Sequence, residues 1–459
     1  MIVLAVPDKN QRQIGLLISL MIVFIEYIFF SLDYLFQDWF AEFFLTIVIF
    51  QLLVAYFNVV NPLFIFRLAL LAVIALGSAT ASILGLHSAN FGAEYQTILA
   101  TNSLIFCSSI AVSASCVGWF LVPGKTNISP TDSQDKTTLY PLIISLLIFV
   151  FFLLFLRSGG IAGEDNAYAS GEGKIQMPIG VLNSIFHLMI AYIILINRGA
   201  NLRRNYLILG GISLAIVLTG SRADFLMQGL LLIAIGLNFF RAHNSFSRLL
   251  FAILFAFIAW ALSSYIGVWR NDGGFGELGL NTLKYVDVRS AGEVLVLSTA
   301  NQMIGTFYAV FGKIFISGES YFLFGESYLD YILRTPPSFF NTDRPLSLAY
   351  EMFVNDTQMA QGGIYEVSEA FWNFGYFGPF AIPAFISFLL RYSLENCRVN
   401  QFKSSYYFWG GLFITASLMS PRAIWYQTFV YWRVFTVALV FYMVFYLYRL
   451  IMKKKNFNA

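Results

Sequence analysis

Long apolar runs recur along nearly the whole chain, separated by short polar connectors, and this recurrence leaves few folds open. In hydrocarbon every backbone N–H and C=O must be satisfied within the protein, so runs of this length cross as helices. Roughly twelve windows qualify, at about 17 to 25 apolar residues per span. They lie near 14–32, 41–60, 64–86, 97–121, 139–156, 179–196, 205–219, 224–240, 249–268, 369–390, 406–420 and 427–449. A soluble helical core is excluded by amount: of 459 residues 58% are hydrophobic and only 12% charged, with 49 Phe. The expected fold is an all-α polytopic membrane protein with about 12 transmembrane helices.

Basic residues collect in alternate connections: Lys9 and Arg12; Lys125 and Lys136; Arg198, Arg203 and Arg204; Arg241 and Arg248; Arg391, Arg398 and Lys403; Lys453, Lys454 and Lys455. By the positive-inside rule these face the cytoplasm, with both termini. Acids mark the other side: Asp33, Asp38 and Glu42; Glu94; Glu164, Asp165 and Glu172. The first apolar run follows Lys9 and Arg12, is too long for a signal-peptide core and has no small-residue cleavage site after it, so a retained span is expected. The same alternation leaves 269–368 as one large external insertion, between helices in 1–268 and in 369–459. Within it, 281–317 has helical apolar spacing, whereas RTPPSFFNTDRP is broken by proline.

Arginines on the outer side run against this bias and need a reason. Arg222 lies in TGSRAD, residues 219–224, a turn between two apolar runs; Arg422 lies in the similar MSPRAIW turn, and Arg433 about two helical turns inside the last span. Arg289, Arg334 and Arg344 lie in the insertion. Arg222 and Arg422 can be read as interfacial anchors that snorkel beside Trp425 and Tyr426. The sharper reading is that these guanidinium groups grip a lipid phosphate or diphosphate, which a planar fork suits better than a point charge.

A second concentration is QGGIYEVSEAFWNFGYFGPF, 361–380, which leads from the insertion into a span. Helical from Tyr365, it places Glu366, Glu369 and Asn373 at i, i+3 and i+7, one polar stripe expected at the membrane mouth. Gly375, Gly378 and Pro379, which follow, are expected to bend or loosen the entry to the span. A carboxylate in the stripe can serve as general base on a sugar hydroxyl. The plainer reading is a solvated helix N-terminus whose acids suit the dipole. Glu26 in the first span and Arg433 in the last lie at similar expected depth, so a pair between neighbouring spans is expected. The alternative has Arg433 on the lipid diphosphate and Glu26 protonated or satisfied by a polar neighbour.

Other chemistries find no support. Cys107, Cys116 and Cys397 have neither disulfide nor metal spacing, the three histidines are isolated, and no HExxH, GxSxG or Walker-type loop occurs. No cofactor is expected. The formal net charge of +3 is spread without a basic stripe, which argues against nucleic acid as a partner.

Three stretches together resemble the polysaccharide repeat-unit polymerases of the Wzy type, the O-antigen polymerase superfamily. TGSRAD resembles a small-residue-plus-arginine turn, GESYLDYILRTPPSFFNTDRP an external segment ending in a proline-rich basic element, and GGIYEVSEAFWNFGYFGPF a glycine-rich acidic entry to a late span. The usual tryptophan-proline form of the middle element is here FFNTDRP. The resemblance implies a membrane glycosyltransferase of the C type in the inner membrane, working without metal. Two undecaprenyl-diphosphate-linked oligosaccharides, donor and acceptor, would meet at the outer face, where a hydroxyl of one attacks the anomeric carbon of the other and lipid diphosphate leaves. Arg222 would hold diphosphate, with Arg289, Arg334, Arg344, Arg422 and Arg433 as candidate helpers; Glu366 and Glu369 are the candidate acids. Phe339, Tyr365 and Trp372 would stack on sugars and Asn373 bind them, and a chain-length regulator is a possible partner. An O-antigen ligase shares this donor and arginine logic; a lipid-linked oligosaccharide flippase would instead show related halves and discontinuous helices.

Overall fold

A computed structural model of the chain describes residues 9–31, 39–58, 61–83, 94–123, 307–318, 321–333 and 365–399. The described part is all helical, with no sheet. Its elements are α1 (Lys9–Ser31), α2 (Phe40–Asn58), α3 (Pro62–Ile83), α4 (Glu94–Leu121), α5 (Phe307–Ile316), α6 (Glu326–Leu333), α7 (Glu366–Phe374) and α8 (Gly378–Val399). Four apolar helical segments are long enough to cross a membrane: Asn10–Ser31, Leu63–Ile83, Tyr95–Leu121 and Glu366–Asn396. The first four helices coincide closely with the first four apolar windows.

α4 is the axis of the packing. It is 94% buried over its apolar window, against 28% for α1, and α1, α2, α3 and α8 all lie against it. Its composition explains why. Residues 107–118, CSSIAVSASCVG, are mostly small, and in hydrocarbon close packing between helices depends on such residues. A Cβ on Gly118 would stand 1.9 Å from the carbonyl oxygen of Ala384, so here the α4 and α8 backbones touch. Gly15 of α1 likewise sits against the Phe120 ring, where an added Cβ would meet it at 2.7 Å.

The entry into α3 is set locally. The Asn61 side-chain oxygen accepts from the backbone N–H groups of Leu63 (2.9 Å) and Phe64 (3.3 Å), and Pro62 occupies the first helical position, where a missing N–H costs nothing. Phe64 then stacks on Trp119 with ring centroids 4.3 Å apart, which brings the start of α3 level with the end of α4.

The window expected as one span near 369–390 is folded differently. α7 ends at Gly375, whose φ of 58° and ψ of −147° lie where only glycine is comfortable, and a single 3-10 turn, Gly375–Phe377, leads into α8. The chain reverses there: a Cβ on Gly378 would lie 1.9 Å from the Ala370 carbonyl oxygen, eight residues back. On one continuous helix those residues would be about 12 Å apart. α7 and α8 therefore form a helical hairpin, its turn packed through Tyr376 against Phe30, Phe106 and Phe371. The sequence pattern hides the reversal because both arms are apolar enough to read as one run.

Candidate functional site

The hairpin brings together the charged side chains of the bundle interior. Glu366 opens α7, and its carboxylate is gripped by Arg67 of α3: Nη1 donates to Oε2 at 2.9 Å and Nη2 donates to Oε1. The same guanidinium donates from Nε to the Ser387 hydroxyl of α8 at 3.1 Å. Arg67, Glu366 and Ser387 are all fully buried. One side chain thus bridges two residues 21 positions apart, about 31 Å if the segment were a straight helix, which establishes the hairpin independently.

One turn further along α7, the Ser327 hydroxyl of α6 donates to Glu369 Oε1 at 2.8 Å. Asn373 donates from Nδ2 to Ser327 Oγ at 2.7 Å and to the Glu369 carbonyl at 2.8 Å. Its Oδ1 accepts from the Gly325 backbone at 2.9 Å. The backbone N–H groups of Leu323 and Phe324 donate to the carbonyls of Trp372 and Asn373, which otherwise end α7 without partners. Fixing this strand of contacts holds Phe324 at a positive φ of 47°, unusual for a side chain of its size.

Beyond Ser387 on the same face of α8, Arg391 is buried, lies over the Trp119 ring at 5.2 Å and donates from Nη1 to the Trp119 carbonyl at 3.0 Å. Taking an arginine out of water is tolerable only with such partners. Two buried arginines thus accompany three buried acids, Glu366, Glu369 and Glu395, the last one turn beyond Arg391 on α8, a set with no excess of positive charge to trap an anion.

The sequence-predicted residues divide accordingly. Glu366, Glu369 and Asn373 do form one helical stripe, on a helix that begins after Tyr365 as expected. Their surroundings correct the expectation of a solvated mouth: all three are fully buried. Glu366 also lies level with Arg67, five residues or about 7.5 Å into α3, at the end of the bundle where α1 and α3 begin and α4 ends. That is the end opposite the one expected for an outer mouth. Tyr365 and Trp372, expected to stack on sugars, are 2% and 3% exposed and face the protein interior as arranged.

Arg222, Arg289, Arg334, Phe339, Arg344, Arg422 and Arg433 lie outside the described residues. So does the expected Glu26–Arg433 contact. For Glu26 itself the structure provides a polar neighbour, since Oε1 accepts from the Ser109 hydroxyl.

Sequence reasoning passed over Arg67, Ser387, Arg391 as a buried group, and Ser327. Arg67 carried a usable signal: one guanidinium inside FIFRLALLAV, where an ionisable residue in an apolar span is a site hypothesis by default. Its place on the expected inner side of a span sets it apart from the outer-side arginines, which alone run against the charge bias. No protein-family model, curated protein or solved structure matches the chain.

Proposed function

We propose that the protein polymerises undecaprenyl-diphosphate-linked oligosaccharide repeat units at the outer face of the inner membrane, forming a glycosidic bond and releasing undecaprenyl diphosphate. The observation that carries this reading is local. The stretch through which the chain resembles the Wzy-type polymerases, 362–380, contains the stripe whose acids and asparagine are all engaged by neighbours from two other helices, α3 and α6. An acidic, glycine-broken motif with that degree of organisation is built for a defined geometry, and a generic span has no need of it.

In this reading the outer arginines, Arg222 first, stabilise the charge that builds on the diphosphate as the glycosidic bond breaks, without a divalent metal. Glu366, chelated on both oxygens, acts as a positioning residue that fixes the hairpin through Arg67. Glu369, on the same arm, is fully buried and held by Ser327 and likewise positions the hairpin, and the base that takes the acceptor hydroxyl's proton is sought among residues of the outer side.

One observation favours a second reading. A discontinuous helical hairpin with buried charges is a feature of transporters, so a lipid-linked oligosaccharide flippase is the alternative. Reconstitution of the purified protein with lipid-diphosphate oligosaccharide, without nucleotide sugar, separates the functions. A ladder of lengths supports polymerisation, and Arg222→Lys should abolish most of it while leaving expression intact. A single unit added to an acceptor lipid core points to a ligase. Movement of the lipid between leaflets without bond formation refutes the glycosyltransferase reading.

A further inference from the structure

Glu26 sits on the face of α1 turned toward α4 and is fully buried. Oε1 takes the hydroxyl of Ser109, while Oε2 is buried with no hydrogen-bond partner. One turn along α4, the buried Ser113 hydroxyl lies beside the same carboxyl, and the buried Ser19 hydroxyl two turns earlier on α1 lacks a partner. A carboxylate is therefore enclosed by hydroxyls in the apolar interior.

No positive charge faces it among the described residues. Arg67 is committed to Glu366 and Arg391 to Trp119. Arg12 lies fourteen residues away on α1, about 21 Å along the helix. Besides Lys9 and Arg12 at the start of α1, the other titratable groups on the elements around Glu26 are Tyr27 of α1, Glu42 and Tyr56 of α2, Glu94, Tyr95, Cys107 and Cys116 of α4, and Tyr376 of the hairpin; none of these supplies a cation. An ionised carboxylate held only by serine hydroxyls in such a place carries a large desolvation cost, and taking up a proton removes it.

We propose that Glu26 is a proton-binding site, occupied in the resting protein as a neutral carboxylic acid between α1 and α4. The step balances simply: the carboxylate takes one proton from water to form the acid, and releases it by the same route. The site adjoins the hairpin, because Tyr27, the next residue, donates its hydroxyl to the Tyr376 carbonyl at 3.0 Å, and Tyr376 in turn shares a hydrogen bond of 2.9 Å with Ser103 of α4. Loss of the proton places a charge one residue from the contact that ties α1 to the hairpin turn. This proposal stands apart from the glycosyl-transfer reading.

Infrared difference spectroscopy of the full-length protein, wild type minus Glu26→Gln, tests it without needing a reagent to reach the site. The expected result is a protonated carboxylic carbonyl band in the wild type that Glu26→Gln lacks, with both proteins equally folded, since glutamine is a neutral isostere. Carboxylate bands in place of the carbonyl band overturn the proposal and make Glu26 half of an ion pair. If Glu26→Gln does not fold, the wild type alone is treated with dicyclohexylcarbodiimide, which reacts with protonated carboxyls in apolar surroundings, and the adduct is mapped by mass spectrometry. An adduct on Glu26 that is lost as pH rises and ignores sodium chloride supports the site. Suppression by sodium at fixed pH means that a metal cation is bound instead, and absence of the adduct at every pH means that the group is permanently charged; either rejects a proton site.

Discussion

Arg67 on α3 forks onto Glu366, the first residue of α7, with an Nη1–Oε2 distance of 2.9 Å and both side chains fully buried. Neither residue is near the other in sequence, and the pair joins the beginning of the bundle to its late hairpin. A buried pair is an uncertain contributor to stability as a whole, but removing one partner strands a charge out of water.

Arg67→Ala and Glu366→Gln are each expected to destabilise the protein by about 3–5 kcal/mol, whereas Arg67→Met combined with Glu366→Leu should recover much of the loss because no charge is left alone. Arg67→Lys keeps the charge and gives up the fork and the bond to Ser387, so an intermediate loss is expected. Thermal unfolding in detergent reads all four. If the double variant is no better than the single ones, the pair's value lies elsewhere than in mutual neutralisation.

How much of this was legible beforehand depends on the length scale of the physics. The helices α1 to α4 follow from apolar run length alone, and the stripe Glu366, Glu369 and Asn373 follows from helical spacing. The cap on α3 is equally local, an asparagine followed by proline. That the chain bends at Gly375, Gly378 and Pro379 follows from those residue types, but a full reversal does not, because glycine and proline are common in membrane helices and an apolar hairpin has the composition of one span. Burial of the acids was hidden for another reason: a carboxylate sequence pattern looks the same beside water as beside Arg67. Only the lone arginine within α3 hinted that an acid had to meet it.

Close approach of α4 and α8 gives a second expectation. Gly118→Ala places a Cβ against the backbone oxygen of Ala384, which cannot rotate away, so the helices must part. Overpacking of this kind costs about 1–3 kcal/mol or more. Gly15→Ala meets the tip of the Phe120 side chain, which can shift by a small change at its stem where a backbone oxygen cannot, and should cost less. Equal melting temperatures for the two variants would show that α4 and α8 are less tightly apposed than the backbone contact implies.

Two buried serines make a matched comparison. Ser327→Ala removes the donor to Glu369 and the acceptor for Asn373, leaving polar atoms short of partners at a cost of about 1–3 kcal/mol. Ser108 is equally buried but its hydroxyl has no partner, so Ser108→Ala should be neutral or stabilising. The same unfolding measurement ranks them, and a Ser108→Ala variant less stable than Ser327→Ala would overturn the assignment of the α6–α7 contacts as a fastening.

The hairpin itself hangs on Gly375. Its φ of 58° with ψ of −147° disfavours any side chain by about 1–3 kcal/mol, and an alanine Cβ would in addition press on the Phe322 ring at 3.3 Å. Gly318 provides the control: its φ is also positive, at 68°, but nothing lies within 4 Å of an added Cβ, so Gly318→Ala has only the conformational cost. Gly375→Ala should therefore be the more damaging, and Phe322→Ala added to it should relieve crowding without restoring the turn. Since Glu366 reaches Arg67 and Ser387 only if the chain reverses here, Gly375→Ala should also erase the stability difference between Glu366 and Glu366→Gln, because an opened hairpin no longer holds the pair. A double-mutant cycle measures that loss as a coupling energy between positions 375 and 366. Simple additivity of the two substitutions would mean that the Arg67–Glu366 contact forms without the turn, and the account of α7 as an arm folded back on α8 would have to be abandoned.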